Sequence, residues 1–279
     1  VYYYMNNVVL KDPTVAVPGG GASKKKSKKA KTKMSIGESA KYLASSSYIR
    51  NLALLVIAYG MSINIVEVTW KSRLRAAFPD PNEYSMFMGN FSTATGTFTF
   101  MMMLAGRFIF QNLGWGVAAL ITPVVLGTTG LLFFGLTLFA PQVAPIIAAF
   151  GTTPLMAAVI VGAMQNVASK GSKYALFDPC KEMAYIPLDD EQKSKGKAAV
   201  DVIGNPLGKS GGSFLQQVLI FALGSLSASA PYLAGILLLI TVLWVGASRG
   251  LAVQFADKRK EMAAKEGVEP IGEGIPSSA

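Results

Sequence analysis

The strongest constraint on the fold of this chain is a series of six apolar segments, each about long enough to cross a lipid bilayer. A spanning helix needs about 20 mostly apolar residues. Hydrophobic residues make up 51% of the 279 positions, whereas charged residues make up only 15%. The segments run from Ile49 to Val66, Met86 to Phe108, Trp115 to Phe139, Val143 to Val167, Val200 to Leu226 and Tyr232 to Ala247. We therefore predict an all-α membrane protein, a bundle of six transmembrane helices.

The basic residues are distributed unevenly around these segments. If the segments cross the membrane alternately, all but three of the 26 Lys and Arg residues fall on one side, here called the basic side. The exceptions are Lys71, Arg73 and Arg75. The positive-inside rule then places both termini on the cytosolic side or its topological equivalent. The net charge of +10 is therefore attributed to membrane orientation and contact with lipid, and no nucleic-acid partner is expected.

The chain divides into three predicted regions. Residues 1–47 comprise the end of a preceding span, a basic disordered linker and a surface helix from Ser35 to Ile49. Residues 48–249 form the six-helix bundle, with an interfacial segment at 170–187 that is broken at Pro179 and closed by Pro187. Residues 250–279 form a polar tail on the basic side. Because Val1 is no initiator methionine and no targeting signal is visible, we expect the later part of a longer precursor.

Three short turns are predicted to connect neighbouring spans. Residues Pro79 to Asn82 join spans one and two, Ala140 to Gln142 join spans three and four, and Ala228 to Pro231 join spans five and six. Short connections favour antiparallel neighbours and hence a compact bundle.

Several chemistries are excluded or disfavoured by the residues present. The chain has one cysteine, Cys180, and no histidine, which excludes an internal disulfide, a Cys/His zinc site and a His-dependent catalytic triad. No metal or cofactor site is predicted. The run from Gly204 to Ser210 resembles a phosphate-binding loop, but its two glycines enclose three residues where that motif has four. An enzyme is not expected, although a membrane enzyme using Asp201 or Glu67 stays open.

Glu67 is the first of the few charges that lie within or beside the apolar segments. Helical spacing places Asn64, Glu67 and Lys71 along one face. In one interpretation, Glu67 pairs with Lys71 and ends the helix. In the other, Glu67 faces a water-filled path and pairs with a bound substrate or a distant lysine.

Polar residues recur every four positions in the fifth segment, and Lys209 is a charge at membrane depth, which favours a functional role. A step of four residues drifts by about 40° per repeat, so the stripe winds around the helix. Pro206 predicts a kink, and glycines 204, 208 and 212 predict close helix packing. The stripe comprises Lys197, Asp201, Asn205, Lys209, Ser213 and Gln217.

The second and fourth segments contribute further polar candidates. Span two is rich in Ser and Thr, which we expect to form interhelical hydrogen bonds, with Asn90 and Thr93 facing a cavity. Lys170 follows Gln165 and Asn166 on the basic side, where it either guides an anion inwards or simply marks the end of the span. Lysines in a polar cavity suit a polyanionic solute that is held and then released.

Three stretches of this sequence resemble the plastid and intracellular-parasite family of ATP/ADP translocases, and the resemblance covers roughly Tyr48 to Arg249. They are SINIVEVTWKSRLRAAFPDPNEYSMFMGNFST, LFDPCKEMAYIPLD and GKAAVDVIGNPLGKSGG. The resemblance implies the C-terminal half of a twelve-helix carrier with a plan like that of the major facilitators. It also implies that Glu67 and Lys209 are transport-critical, and that the missing N-terminal half supplies another lysine and glutamate.

The same resemblance implies a function and a location. The carrier would exchange ATP for ADP plus phosphate without hydrolysing either nucleotide, in contact with membrane lipid. The favoured location is the inner envelope of a plastid such as the chloroplast, and the alternative is the inner membrane of a bacterial parasite. Proton-coupled import of other nucleotides is the nearest alternative function.

Overall fold

The described part of the chain is mostly helical and contains no β-strand. The structure, a computed structural model, describes residues 34–266. The prediction of an all-α chain is confirmed for these residues. The predicted end of a preceding span, the basic linker and the last part of the polar tail lie outside them.

Two helices, α1 (Ile36–Ser45) and α2 (Ser47–Ala77), are separated by a single residue, Ser46. Ser35 begins α1 with a capping box, in which its Oγ accepts the N–H of Glu38 and the Glu38 carboxylate accepts the Ser35 N–H at 2.8 Å. This backbone hydrogen bond lowers the pKa of Glu38. Ser46 then caps α2 by accepting the N–H of Ile49. The expected helix before the first span is therefore present, but it ends at Ser45.

Three helices are long and apolar enough to cross a membrane: α2, α3 (Pro81–Leu138) and residues Leu226–Ala264 of α9 (Leu226–Glu266). They contain the first, second, third and sixth apolar segments. The second and third segments share α3, which is interrupted at Gly114, where φ is 74° and ψ is 175°. This left-handed φ favours glycine because it has no Cβ.

The first predicted turn is confirmed, since α2 ends at Ala77 and α3 begins at Pro81. Asp80 starts α3 by accepting the N–H groups of Asn82 and Glu83 at 2.7 and 3.1 Å.

The second predicted turn is wrong, and the fourth apolar segment is not one helix. Residues Ala140–Ala148 form α4, and Pro141 lies in its first turn, where a missing N–H removes no helical hydrogen bond. The chain bends at Phe139, one residue before the predicted turn, and a second break follows at Gly151, where φ is 72°, before α5 begins (Pro154–Ser172). The connection between α3 and α5 is therefore longer than predicted and contains a helix.

The chain stays helical beyond α5, contrary to the predicted break at Pro179. A π-helical turn (Lys173–Phe177, the first π turn) leads directly into α6 (Asp178–Met183). The N–H of Asp178 donates to the carbonyl of Lys173, five residues earlier, and Pro179 falls in the first turn of α6. The extra residue in the turn thus accommodates the proline without ending the helix.

Several apolar side chains of this part of the chain, predicted to lie at the membrane interface, are buried. Leu176, Phe177 and Cys180 are buried in the core of the bundle. The helix ends at Met183, and Pro187 lies in the turns that follow it. The apolar residues that indicated a membrane-surface helix therefore pack against other helices.

The fifth apolar segment is approached through α7 (Asp190–Ala199) and a second π turn (Val200–Gly204), and it forms α8 (Asn205–Leu223). The π turn takes the place of the kink predicted at Pro206.

The third predicted turn is wrong, because α8 ends earlier than expected. Gly224 has a φ of 79° and stops the helix, and Ser225 caps α9 by accepting the N–H of Ala228 at 3.1 Å. Pro231 consequently lies inside α9. Its ring leaves the carbonyl of Ser227 without a helical donor, and Ser227 is exposed.

Helix α2 runs through both parts of the core. In the first, Tyr59 stacks on Phe177 at 4.4 Å between ring centroids, and Trp244 of α9 meets Tyr59 edge-on at 5.9 Å. In the second, Trp70 packs on Phe91 of α3. Because its buried faces are held on several sides, α2 is the fixed helix against which the polar candidates are positioned.

Candidate functional site

Helices α2 and α8 cross with their backbones in contact. A Cβ built on Gly60 would lie 2.5 Å from the carbonyl oxygen of Gly208, and one on Gly212 would lie 2.9 Å from the Cβ of Asn64. Both distances are shorter than Cβ atoms tolerate, so only glycine fits. The prediction of close packing along the glycines of α8 is confirmed.

Asn64 joins the two helices just beside this crossing. Its Nδ2 donates to the carbonyl of Lys209 at 3.3 Å, and its Oδ1 accepts from the hydroxyl of Ser213 at 2.9 Å. The structure therefore brings together two of the predicted site residues, Asn64 and the backbone of Lys209. The Asn64 side chain therefore fixes the position of the Lys209 backbone along the axis of α2.

Gln216 belongs to the same junction and was missed by the sequence analysis. It is 3% exposed, and its Nε2 donates to the carbonyls of Asn64 and Ile65 at 3.3 and 3.1 Å. The predicted polar stripe included the neighbouring Gln217, which is exposed. A signal was present, because Gln216 continues the four-residue spacing of the glycines that pack on α2.

Lys209 presents its side chain at the surface of α8. Its ammonium forms no ion pair with an acidic side chain among residues 34–264. One turn earlier, Asn205 donates to the carboxylate of Asp201 at 2.9 Å, which places this pair at the second π turn. The stripe predicted on the fifth segment thus divides into an amide–carboxylate pair and an unpaired cation.

Glu67 lies on α2, three residues after Asn64, and forms an ion pair with Lys71 at 2.7 Å. The side chains of Glu67 and Lys71 are 30% and 44% exposed. The pair does not end the helix, since α2 continues to Ala77. Glu67 and Lys209 form no ion pair with each other.

The remaining candidates lie where α3 packs on α5, apart from this junction. The ammonium of Lys170 sits 5.2 Å from the ring centroid of Phe91, a cation–π contact. Asn90 is exposed, and the exposed Thr93 donates to the carbonyl of Gly89 at 3.1 Å. The structure therefore does not bring Lys170, Asn90 or Thr93 into contact with Lys209.

The interhelical hydrogen bonds expected from the hydroxyls of span two are not formed by Thr93 and Thr95. Both donate within α3, to the carbonyls of Gly89 and Phe91, four residues earlier. A threonine in a helix satisfies its hydroxyl this way when no polar group of a neighbouring helix is within reach.

The chemistry available at the junction is that of binding, since it combines a rigid helix crossing, amide side chains and an unpaired cation. Residues 34–266 contain no group of three or more His, Cys, Asp or Glu side chains that could hold a metal ion. A lysine held at its backbone but free at its ammonium suits an anion such as a phosphate group.

Comparison with known proteins identifies related sequences along almost the whole chain. The family model described as TLC ATP/ADP transporter matches residues 1–255. A plastidic ATP/ADP-transporter of Solanum tuberosum is 59% identical over 89% of this chain and 40% of its own length. No solved structure matches.

Bacterial relatives match as well. ADP,ATP carrier protein 1 of Chlamydia muridarum is 49% identical over 98% of this chain and 54% of its own length. ADP,ATP carrier protein 1 of Rickettsia prowazekii is 41% identical over 91% of this chain and 51% of its own length. The chain therefore spans about half the length of the curated relatives that it matches.

Proposed function

Because the chain belongs to the TLC ATP/ADP transporter family, we propose that it forms the C-terminal half of a carrier that exchanges ATP for ADP plus phosphate across a membrane. The names of the plant and bacterial relatives support the two nucleotides. The span of the match, about half of each relative, supports a half-carrier. In this proposal six helices of the chain pair with six of the missing N-terminal half, on a major-facilitator-like plan.

The observation that carries this proposal is the unpaired ammonium of Lys209 beside the α2–α8 crossing. Asn64 holds the backbone of Lys209 in place, while no acidic side chain among residues 34–264 forms an ion pair with its ammonium. An uncompensated lysine at membrane depth is costly, so its retention favours a ligand that supplies the negative charge. A nucleotide phosphate supplies it during each transport cycle and then leaves.

Glu67 has a complementary role in the proposal. Its partner Lys71 is half-exposed, and exposed ion pairs of this spacing are worth less than about 1 kcal/mol. The pair can therefore open at little cost when a substrate or a lysine of the N-terminal half approaches. Asp201, Asn205, Asn90, Thr93 and Lys170 would line the path rather than form one contact site.

The alternative is a proton-coupled importer of other nucleotides, which the carboxylates Glu67 and Asp201 favour. Asp201 is exposed on the second π turn. For either mechanism we propose the inner envelope of a plastid as the location, since the plant relatives are named plastidic or chloroplastic. The inner membrane of a bacterial parasite is the alternative.

The experiment that tests the function is uptake of labelled ATP into vesicles that contain the full-length carrier. We expect uptake to require ADP preloaded inside the vesicles. Uptake that instead follows a proton gradient supports the importer, and phosphate release without uptake contradicts transport altogether.

The site is tested in the same vesicles with Lys209→Ala. We expect uptake to be lost while membrane insertion is unchanged. Lys193→Ala, on α7 and away from the junction, is the matched control and should transport normally. Near-normal uptake by Lys209→Ala would remove Lys209 from the site.

A further inference from the structure

A pocket of about 670 Å³ lies between the interruption of α3 and the last third of α9. It is separate from the α2–α8 junction and contains none of the proposed transport residues. Its walls come from residues on both sides of Gly114 and from the face of α9 that includes Arg249 and Arg259.

The shape of the pocket follows from the backbone at Gly114. The positive φ turns α3 away from a straight path, and Trp115 on the far side is stacked on Phe255 of α9 at 4.6 Å. The indole Nε1 of Trp115 also donates to the carbonyl of Cys180 at 3.1 Å. Because Trp115 is held from two sides, the pocket is part of the folded bundle and does not depend on a loop.

The walls are apolar and open to the surroundings. Leu113, Val117 and Val253 line the pocket, yet they are 50%, 44% and 64% exposed. Large exposed apolar side chains grouped around one cavity indicate that something apolar covers them.

The charge at the pocket is entirely positive. Arg249 and Arg259 line it, and none of its lining residues, all of which are described, is acidic. The guanidinium of Arg259 lies 5.9 Å from the ring centroid of Phe255, a cation–π contact. Ten residues separate the arginines, about 15 Å along the helix axis, so they border opposite ends of the pocket.

The pocket also lies at the predicted edge of the membrane. The sixth apolar segment ends at Ala247, two residues before Arg249, and the pocket residues of α3 run from Phe110, between the second and third segments, to Leu120 in the first part of the third. Both positions belong to the basic side, where an anionic leaflet surface is expected.

We propose that this pocket binds an anionic phospholipid, with the phosphate at Arg249 near the membrane edge and an acyl chain against Leu113, Val117 and Val253, while Arg259 adds positive charge at the other end of the pocket. Basic pockets between helices at this depth recognise lipid headgroups. A free phosphate would leave the apolar wall uncovered, whereas a phospholipid satisfies both surfaces at once. The proposal is independent of what the carrier transports.

The test is native mass spectrometry of the purified full-length carrier with dioleoylphosphatidylglycerol, compared with dioleoylphosphatidylcholine. We expect the anionic lipid to bind more tightly. The double variant Arg249→Gln/Arg259→Gln should weaken that binding about 30-fold, because the phosphate loses its contact with Arg249 and the lipid loses the electrostatic attraction of Arg259. The charge-matched control Lys41→Gln/Lys193→Gln should bind as the wild type does, since neither lysine lines the pocket.

A second variant, Ala256→Trp, fills the pocket and keeps its charge. It should weaken phosphatidylglycerol binding as well, which general attraction to a basic surface would not predict. The proposal is wrong if both lipids bind equally, if the two charge-neutralising variants weaken binding equally, or if Ala256→Trp binds normally. It is also wrong if excess inorganic phosphate displaces the lipid, or if the wild type binds no phosphatidylglycerol.

Discussion

Residues 34–266 contain two π turns, and both are followed immediately by Asp or Asn and then proline. The first turn precedes Asp178-Pro179 and the second precedes Asn205-Pro206. In each case the N–H just before the proline donates to a carbonyl five residues earlier. The same local sequence therefore gives the same local backbone, because one extra residue in the turn accommodates the ring.

The surroundings of the two turns differ. In the first, Phe177 is buried against Tyr59 and Trp244. In the second, Val200 and Gly204 are buried, while Asp201 is exposed. The comparison teaches that the first turn maintains the core and the second presents polar groups, so the two should respond differently to substitution.

The largest effect is expected at the first π turn, from Phe177→Ala. Removing a buried phenyl ring lowers the free energy of unfolding by about 3–5 kcal/mol. Thermal unfolding of the purified protein, followed by circular dichroism, measures this loss. Tyr174→Ala is the control in the same turn, because Tyr174 is 49% exposed and its removal should change stability little. Equal losses would contradict the assignment of this turn to the core.

A smaller loss is expected from Gly208→Ala, just after the second π turn. The new Cβ would lie 2.9 Å from the carbonyl oxygen of Val56, so α2 and α8 must separate. Overpacking of this kind costs about 1–3 kcal/mol. At Gly211, the nearest atom to an added Cβ is the Met61 sulfur at 3.4 Å. Gly211→Ala should therefore be neutral or stabilising in the same unfolding assay.

A still smaller loss of stability is expected from breaking an ion pair between α6 and α7, the helices that connect the two π turns. Lys197 of α7 bonds the Glu182 carboxylate of α6 at 2.7 Å, and Lys197→Gln should cost less than about 1 kcal/mol because the pair is half-exposed. Burial raises the pKa of Glu182, but the bonds to Lys197 and Lys181 leave it lowered overall.

The direction of the Glu182 pKa change determines how the stability of the fold depends on pH. A lowered pKa stabilises the fold above the ordinary pKa of a glutamate, and this contribution is lost as the pH falls through the folded-state pKa. The stability difference between wild type and Lys197→Gln should therefore be present at pH 7 and shrink in acid. Unfolding midpoints measured between pH 7 and pH 3 test this, and a difference that grows in acid would contradict it.

The smallest effect on stability is expected from Asp201→Ala in the second π turn. Its exposed carboxylate bonds only Asn205, so the free energy of unfolding should stay within about 0.5 kcal/mol of the wild type. Under the proposed function, nucleotide uptake should nevertheless fall strongly. Normal uptake together with a large loss of stability would contradict the assignment, because Asp201 would then support the fold and not transport.

Hydropathy locates the apolar segments but not the ends of the helices. The chain bends at Phe139, one residue before the predicted turn at Ala140, and breaks again at Gly151 and Gly224, both with positive φ, whereas the last turn is predicted at Pro231. Proline is a weak stop signal, because it is compatible with the first turn of a helix and with exposed carbonyls. Which glycine takes a left-handed conformation depends on tertiary packing, which a single sequence does not reveal.

The site was predictable where spacing carried the information. The glycines of α8 indicated backbone contact, and that contact brings Asn64 to Lys209. The predicted stripe includes Gln217, whereas Gln216 is the residue that bonds α2. The two are confused because the row of polar residues and the row of glycines are adjacent on α8. The grouping of Lys170 with Phe91 required the α3–α5 packing, which no local pattern specifies.

Cys180 gives the chain a chemical reporter of its own. It is the only cysteine in the sequence, it is 1% exposed, and it lies in α6, which follows the first π turn. A maleimide dye should therefore leave the folded chain unlabelled and modify this thiol, once in each molecule, only after the region has opened. The rate of labelling of this chain would measure how often the bundle opens around the first π turn.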